Sequence, residues 1–141
     1  RRQRQMCIRD RLDGGISDSI PLKYLESVGY DRNVVILTQP MGYEKKKNKA
    51  LPLMKAAYSQ YPDLLKTMAR RQDVYNETTA YIREKERRGE VFVIRPEAAL
   101  KIKRVEHDRA KIQAVYDQGR AVARKRLPAL REFLQKEGKA T

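Results

Sequence analysis

Two short runs of apolar residues, far apart in the sequence, constrain the fold of this chain more than any other feature. Asn33-Val34-Val35-Ile36-Leu37-Thr38 is the first run, and Val91-Phe92-Val93-Ile94 is the second. Neither run alternates between polar and apolar side chains, and this pattern is typical of a parallel strand covered on both faces. We therefore expect two buried strands, the first of which is central in a parallel sheet.

Helical patterns lie before, between and after these runs. A short helix is expected to begin near Asp18 or Ser19, with Pro21 in its first turn, and to end at Gly29. The other segments with helical spacing are residues 51–58, residues 62–88 and residues 108–133, the last with Pro128 as a kink or a restart. Helices that alternate with buried strands predict an α/β fold in which helices flank a mostly parallel sheet.

The first eleven residues have a sequence that suggests a different origin from the rest of the chain. Arg1 to Asp10 is what the string CGT CGG CAG CGT CAG ATG TGT ATA AGA GAC encodes, and that string resembles a transposase-type sequencing-library adapter. The next two bases of such an adapter, AG, allow Arg or Ser, which Arg11 fits. We therefore expect residues 1–11 to be a non-native tail, with a disordered basic tail as the alternative.

Composition narrows the kinds of site that the chain can carry. The formal net charge is +14 at pH 7, and residues 1–11 hold five arginines against Asp10, which is +4 and leaves +10 for the remainder. Such a charge favours anionic partners. The single cysteine, Cys7, lies in the tail, and His107 is the only histidine, so a native thiol site and a multi-histidine metal site are excluded. No apolar run reaches the length of about eighteen residues that suggests a membrane span.

The turn at Asp13-Gly14-Gly15 is the strongest candidate for a reactive site. A carboxylate followed by two glycines lies on a turn that can bend sharply and that another group can approach closely. The structural alternative is an ordinary Asp-Gly turn in which the carboxylate bonds its own backbone. Ser17, Asp18 and Ser19 are interpreted as capping or turn residues.

This turn resembles the D-G-G/A motif of the patatin-like lipid acyl hydrolases. Further features occur in the order found in bacterial members of that family: Val34 to Thr38 leading into Gln39-Pro40-x-Gly42-Tyr43-x-Lys45-Lys46, Tyr61-Pro62, Tyr75-Asn76, Ile94-Arg95-Pro96, Arg104-x-Glu106-x-Asp108, and Tyr116 with Gly119. The resemblance covers residues 12–141. It implies the C-terminal part of a three-layer patatin-like phospholipase domain whose N-terminal half is missing.

The resemblance implies a serine esterase, similar to phospholipase A, that hydrolyses carboxyl esters of phospholipids or lysophospholipids with a Ser-Asp dyad. The family's G-G-x-R oxyanion loop and G-x-S-x-G elbow would both lie upstream of Leu12. Asp13 would be the general base for the elbow Ser, and Gly14 and Gly15 would leave room for the serine turn. Because a carboxylate is a weak base at neutral pH, partial burial would have to make Asp13 more basic. The chain alone, without the Ser, is expected to be inactive.

The same resemblance implies no cofactor, no metal and a lipid ester as substrate, in the cytoplasm or at the periphery of a membrane. Lys45 to Lys49 could face anionic headgroups, although such a run is commonly a solvated loop. His107 is interpreted as a surface residue. If half of the sheet is missing, an unpaired edge and an apolar face should be exposed.

Two alternatives from other classes stay open. The first is a basic module that binds nucleic acid or an anionic membrane surface, and binding that weakens steeply with salt would identify it. Nucleic acid is not expected, because acidic residues are interspersed with the basic ones and no recognised nucleic-acid-binding signature occurs. The second is a patatin-like scaffold that has lost catalysis, which the upstream sequence would reveal by the absence of the elbow Ser.

Overall fold

The computed structural model describes residues 13–48, 50–103 and 105–135. This part of the chain contains four α-helices and two β-strands, preceded by a short 3-10 helix at Gly14–Ile16. The elements are α1 (Leu22–Ser27), β1 (Asn33–Ile36), α2 (Leu51–Ala57), α3 (Pro62–Arg87), β2 (Val91–Ile94) and α4 (Arg109–Gln135). The adapter-like tail and Cys7 lie outside the described residues.

The two strands pair in parallel, which confirms the α/β prediction at the level of a parallel sheet with helices beside it. The register runs from Asn33 opposite Val91 to Ile36 opposite Ile94. The ladder continues one step beyond β1, where the Leu37 N–H donates to the Ile94 carbonyl at 2.9 Å. Because parallel neighbours cannot be joined by a tight turn, the long connection that contains α2 and α3 is a requirement of this pairing.

β2 is the better covered of the two strands. Val91, Phe92 and Val93 are all buried, as predicted for a strand with two covered faces. The helix α4 packs on this strand, and the ring centroids of Phe92 and Phe133 lie 5.6 Å apart. Helix α4 also continues through Pro128, so the restart considered for that position does not occur.

β1 is covered on one face. Asn33 and Val35 are buried, whereas Val34 and Ile36 are 39% and 74% exposed. Alternate residues of a strand point to opposite faces, so Val34 and Ile36 share the exposed face. The expectation of a central strand covered on both faces is therefore wrong for the described residues, in which β2 is the only neighbour of β1. Within that part of the chain, β1 combines an unpaired edge with an exposed apolar face.

The described residues divide into two compact units, one within residues 13–21 and 45–80 and one within residues 22–44 and 81–135. In the second unit, a polar cluster joins α1 to the last turns of α3. The Tyr81 hydroxyl donates to Glu26 Oε2 at 2.6 Å, and Lys85 Nζ lies 3.4 Å from Glu26 Oε1 and 2.6 Å from Glu90 Oε2. The bond to Glu26 raises the pKa of Tyr81, and the bond to Glu90 raises the pKa of Lys85. This cluster lies beside Ile82 in the sequence, which is fully buried.

Replacing Tyr81 with Phe should lower the free energy of unfolding by about 1 to 2 kcal/mol, because a half-buried hydrogen bond to a carboxylate is lost while the ring remains. Urea denaturation at a concentration where the chain is monomeric measures the change. Tyr116→Phe is the matched control, since Tyr116 is exposed and its hydroxyl is 3.5 Å from Arg120 Nη1. Equal losses in the two variants would contradict a role for the cluster.

The exposed face and edge of β1 should make the chain self-associate, and Ile36→Lys should shift it toward the monomer by placing a charge on that edge. Leu53→Lys is the matched control because Leu53 is also 74% exposed but lies on the short helix α2. Sedimentation velocity distinguishes the species. A monodisperse, cooperatively melting monomer of the unchanged chain, or an equal response to both substitutions, would contradict this prediction.

Candidate active site

The candidate base lies at the start of the 3-10 helix and is bonded to its own turn. Asp13 Oδ1 accepts the Gly15 N–H at 2.9 Å, and the Asp13 carbonyl accepts the Ile16 N–H at 3.0 Å. The residue is exposed, and no hydrogen bond to its Oδ2 is observed among the described residues. The turn therefore has the local bond of the structural alternative, and one carboxylate oxygen stays available to another group.

Gly14 and Gly15 contribute to the turn by having no side chain, which leaves space beside the backbone. Neither Gly14 nor Gly15 has a positive φ, unlike Gly29, Gly42 and Gly89. A Cβ on Gly15 would lie 3.4 Å from Asp13 Oδ1, whereas a Cβ on Gly14 would meet no described atom within 4 Å. The side of the turn at Gly14 is thus open, and this backbone does not need a conformation that only glycine adopts.

The polar residues after the glycines bond to the turn, which confirms their interpretation as turn residues. Ser17 Oγ donates to the Gly14 carbonyl at 3.0 Å, and Ser19 Oγ donates to the Gly15 carbonyl at 2.8 Å. Asp18 Oδ1 accepts the backbone N–H two residues later at 3.1 Å. These side chains are used for local structure, so neither serine has a hydroxyl arranged beside Asp13 as a nucleophile.

Arg71 anchors the turn on α3 and was not identified from the sequence. Its Nε donates to the Gly15 carbonyl at 2.9 Å across a separation of 56 residues. No local motif can indicate such a contact. The only signal in the sequence is the position of Arg71, three residues after Met68 and four before Tyr75, which places a cation on the packed side of the helix. The contact holds the Asp13 turn against a long helix.

A second contact joins the loop at Lys45 to α3. Asn76 Oδ1 accepts the Lys45 N–H at 2.8 Å, and Asn76 Nδ2 donates to the Lys45 carbonyl at 3.2 Å. Lys45 Nζ lies 4.6 Å from the centroid of the Tyr75 ring, a cation-π geometry. The loop is therefore fixed at Lys45, while Lys46 and Lys47 are exposed. Lys49 lies outside the described residues.

Asn76→Ala should release this loop, because both of its bonds to the Lys45 backbone are lost. Trypsin cleavage after residues 45–47 should then be roughly tenfold faster, since cleavage follows the population of the open loop. Glu77→Ala is the matched control, an exposed neighbour on the same helix. Equal cleavage rates for the two variants, measured by mass spectrometry of the fragments, would show that Asn76 does not hold the loop.

The polar residues just before α4, which the sequence analysis considered, are exposed or bonded to the backbone. His107 is exposed, as interpreted from the sequence. Glu106 Oε1 accepts the backbone N–H groups of His107 and Asp108 at 3.1 and 3.2 Å, and Asp108 Oδ1 accepts the Ala110 N–H at 2.9 Å where α4 begins. These carboxylates are therefore engaged at the start of a helix. Arg104, from the same motif, is outside the described residues.

Two kinds of feature are not found in the described ranges. No group of three or more His, Cys, Asp or Glu side chains is arranged to hold a metal ion in residues 13–48, 50–103 and 105–135. Over the same residues, none of the helices has both the length and the apolar character that crossing a membrane requires.

Comparison with known proteins gives a family match over about half of the chain. The family model described as Domain of unknown function (DUF6363) matches residues 61–135. This range contains α3, β2 and α4, and it includes Arg71 and Asn76 but not Asp13. No curated protein and no solved structure matches the chain.

Proposed function

The chain belongs to the family described as Domain of unknown function (DUF6363). For this member of the family we propose a function that depends on the Asp13 turn. The chain is the C-terminal part of a patatin-like lipid acyl hydrolase, and Asp13 is the general base of its Ser-Asp dyad. The nucleophilic Ser comes from sequence ahead of Leu12. The observation that carries this proposal is a carboxylate with one oxygen oriented by its own turn and the other oxygen without a described partner.

The orientation of the carboxylate suits proton transfer. The Gly15 N–H fixes Asp13 Oδ1 at 2.9 Å, so Oδ2 is the oxygen that can receive a proton from the Ser hydroxyl. As that proton moves, the Ser oxygen attacks the ester carbonyl carbon. The tetrahedral intermediate then collapses, and Asp13 returns the proton to the departing lysolipid or alcohol. Asp13 next removes a proton from water, whose oxygen attacks the acyl-enzyme. When the second tetrahedral intermediate collapses, the bond from the acyl carbon to the Ser oxygen breaks, Asp13 returns the proton to that oxygen, and the fatty acid leaves.

The open side of the turn suits the approach of the elbow. A Cβ on Gly14 would meet no described atom within 4 Å, so a second turn can come close to this backbone. An elbow placed there would cover part of the exposed carboxylate. Such burial makes a carboxylate a stronger base, which the reaction requires near neutral pH. Oxyanion stabilisation would come from donors outside residues 13–135.

The substrate class follows from the same resemblance and from the charge of the chain. Phospholipids and lysophospholipids are ester substrates presented at anionic or zwitterionic surfaces. Lys46 and Lys47 are exposed on a loop that Asn76 holds at Lys45, so their charges are available to lipid headgroups. This supports contact with the membrane periphery, where each basic residue near an anionic surface contributes about 1 kcal/mol.

Asp13→Asn in the intact parent protein should reduce esterase turnover by at least about 100-fold, because the amide cannot take up the Ser proton. The variant keeps the turn, since an amide oxygen can still accept the Gly15 N–H. Asp18→Asn is the matched control from the same segment and should retain turnover. Hydrolysis of a phospholipid ester is measured for each protein. Full activity of the Asp13 variant would refute the proposal, whereas the isolated chain of residues 12–141 should show no turnover.

A second variant tests the open side of the turn. Gly14→Ala should leave the stability of the isolated chain unchanged, because no described atom contacts the added methyl group. In the intact parent the same methyl group should lower turnover by obstructing the elbow. Unchanged turnover would contradict close approach at Gly14. A parent with no elbow Ser and no esterase activity would be a scaffold instead of an enzyme.

A further inference from the structure

Two arginines of the second unit are held in place at the end of β2. Arg126 of α4 donates from Nη2 to the Val93 carbonyl at 3.3 Å, and its guanidinium carbon lies 4.7 Å from the centroid of the Phe92 ring. Arg95 directly follows the strand, forms an ion pair with Glu86, and has Nη1 3.1 Å from Met41 Sδ. Both guanidinium groups are therefore positioned by contacts with the fold.

A third arginine, Arg83, lies on α3 three residues before Glu86, the carboxylate that pairs with Arg95, so Arg83 and Glu86 share one face of that helix. Burial, and then the positive charges of Arg83 and Arg126, lower the pKa of Arg95. Arg83 and Arg126 are thus both near enough to Arg95 to repel its charge. Among the described residues, Arg83 forms no hydrogen bond and no ion pair, so its guanidinium group is the one whose donors are all available.

The charges in this cluster do not balance. The Arg95 side chain is 12% exposed, and Glu86 is the only carboxylate that pairs with any of the three arginines in the described part of the chain. Three guanidinium groups against one carboxylate leave a local charge of +2. Arg95 and Arg126 are half-buried, and Arg83 is exposed to solvent. An anion with a double charge that reaches them from solvent would offset the repulsion on Arg95.

The position of the cluster also favours a ligand. Arg95 follows the carboxyl end of β2, and the carboxyl ends of parallel strands form the edge where α/β sheets bind ligands. A guanidinium group presents its N–H donors in a plane that matches two oxygens of a phosphate, and phosphate oxygens can accept from several arginines at once. The geometry points to a phosphate-binding site formed by Arg83, Arg95 and Arg126, with Arg83 as the group that closes on the bound anion.

This site does not depend on Asp13, which belongs to the other unit, so it can be tested whether or not the chain is part of a hydrolase. The shared chemistry is a phosphate group, carried either by a lipid headgroup or by a soluble phosphate. Arg83→Gln is the informative variant because it removes a donor without breaking any observed contact. Arg70→Gln is the matched control, since Arg70 is an exposed arginine of the same helix with no observed ion pair.

The experiment has two arms on the full chain. In the first arm, inorganic phosphate is titrated into the chain and binding is measured by calorimetry. In the second arm, binding to phosphatidylcholine vesicles is measured by co-sedimentation. These vesicles contain either phosphatidic acid or an amount of oleic acid that gives the same charge. Arg83→Gln should weaken phosphate binding roughly tenfold, the loss of one charge-assisted contact, and Arg70→Gln should leave it unchanged.

The results of the two arms decide whether the site exists and which kind of phosphate it binds. Tighter binding to phosphatidic acid than to oleic acid, lost in Arg83→Gln, identifies a lipid headgroup. Binding of inorganic phosphate without a preference for phosphatidic acid identifies a soluble phosphate. Absence of binding in both arms overturns the site. Equal weakening by Arg83→Gln and Arg70→Gln also overturns it, because the attraction would then follow net charge alone.

Discussion

The parallel pairing of β1 with β2 is the constraint on which the rest of this structure depends. It requires the chain to leave β1 at one end of the sheet and to enter β2 at the opposite end, and the connection carries α2 and α3. It also places the carboxyl ends of both strands at one edge, where Arg95 follows β2. Because α4 packs on β2 through Phe92 and Phe133, the better covered strand is the one that contacts the last helix.

Away from the strands, polar contacts with α3 hold the Asp13 turn and the loop at Lys45. Arg71 donates to the Gly15 carbonyl, and Asn76 bonds both backbone groups of Lys45. In each case a side chain of a long helix satisfies main-chain groups of a short segment. A bond of this kind holds a backbone segment without requiring an apolar cluster, because hydrogen bonds form only within a limited range of distance and angle. The Asp13 turn and the lysine loop are therefore both held by α3.

The bounds of strands and helices could be predicted from the sequence where they depend on local patterns of residues. Residues 91–94 form β2 with the predicted bounds, and α3 lies between the predicted signals of Pro62 and Gly89. The coverage of β1 was not predicted correctly, because an apolar run has the same appearance whether or not neighbours cover it. Proline at position 128 removes one hydrogen bond of a 27-residue helix, and this did not end the helix. The Arg71 and Asn76 contacts could not be predicted, since they join residues 56 and 31 positions apart.

Whether Asp13 serves a serine outside the described chain is tested most directly by covalent labelling. The intact parent protein is treated with a fluorophosphonate, which reacts with activated serines, and the modified residue is located by mass spectrometry. The predicted result is one labelled serine, at a position ahead of Leu12 and within a G-x-S-x-G sequence. Absence of any label, or a label on one of the four serines that follow Leu12 in the sequence (Ser17, Ser19, Ser27 and Ser59), would contradict the assignment of Asp13 as the base of that dyad.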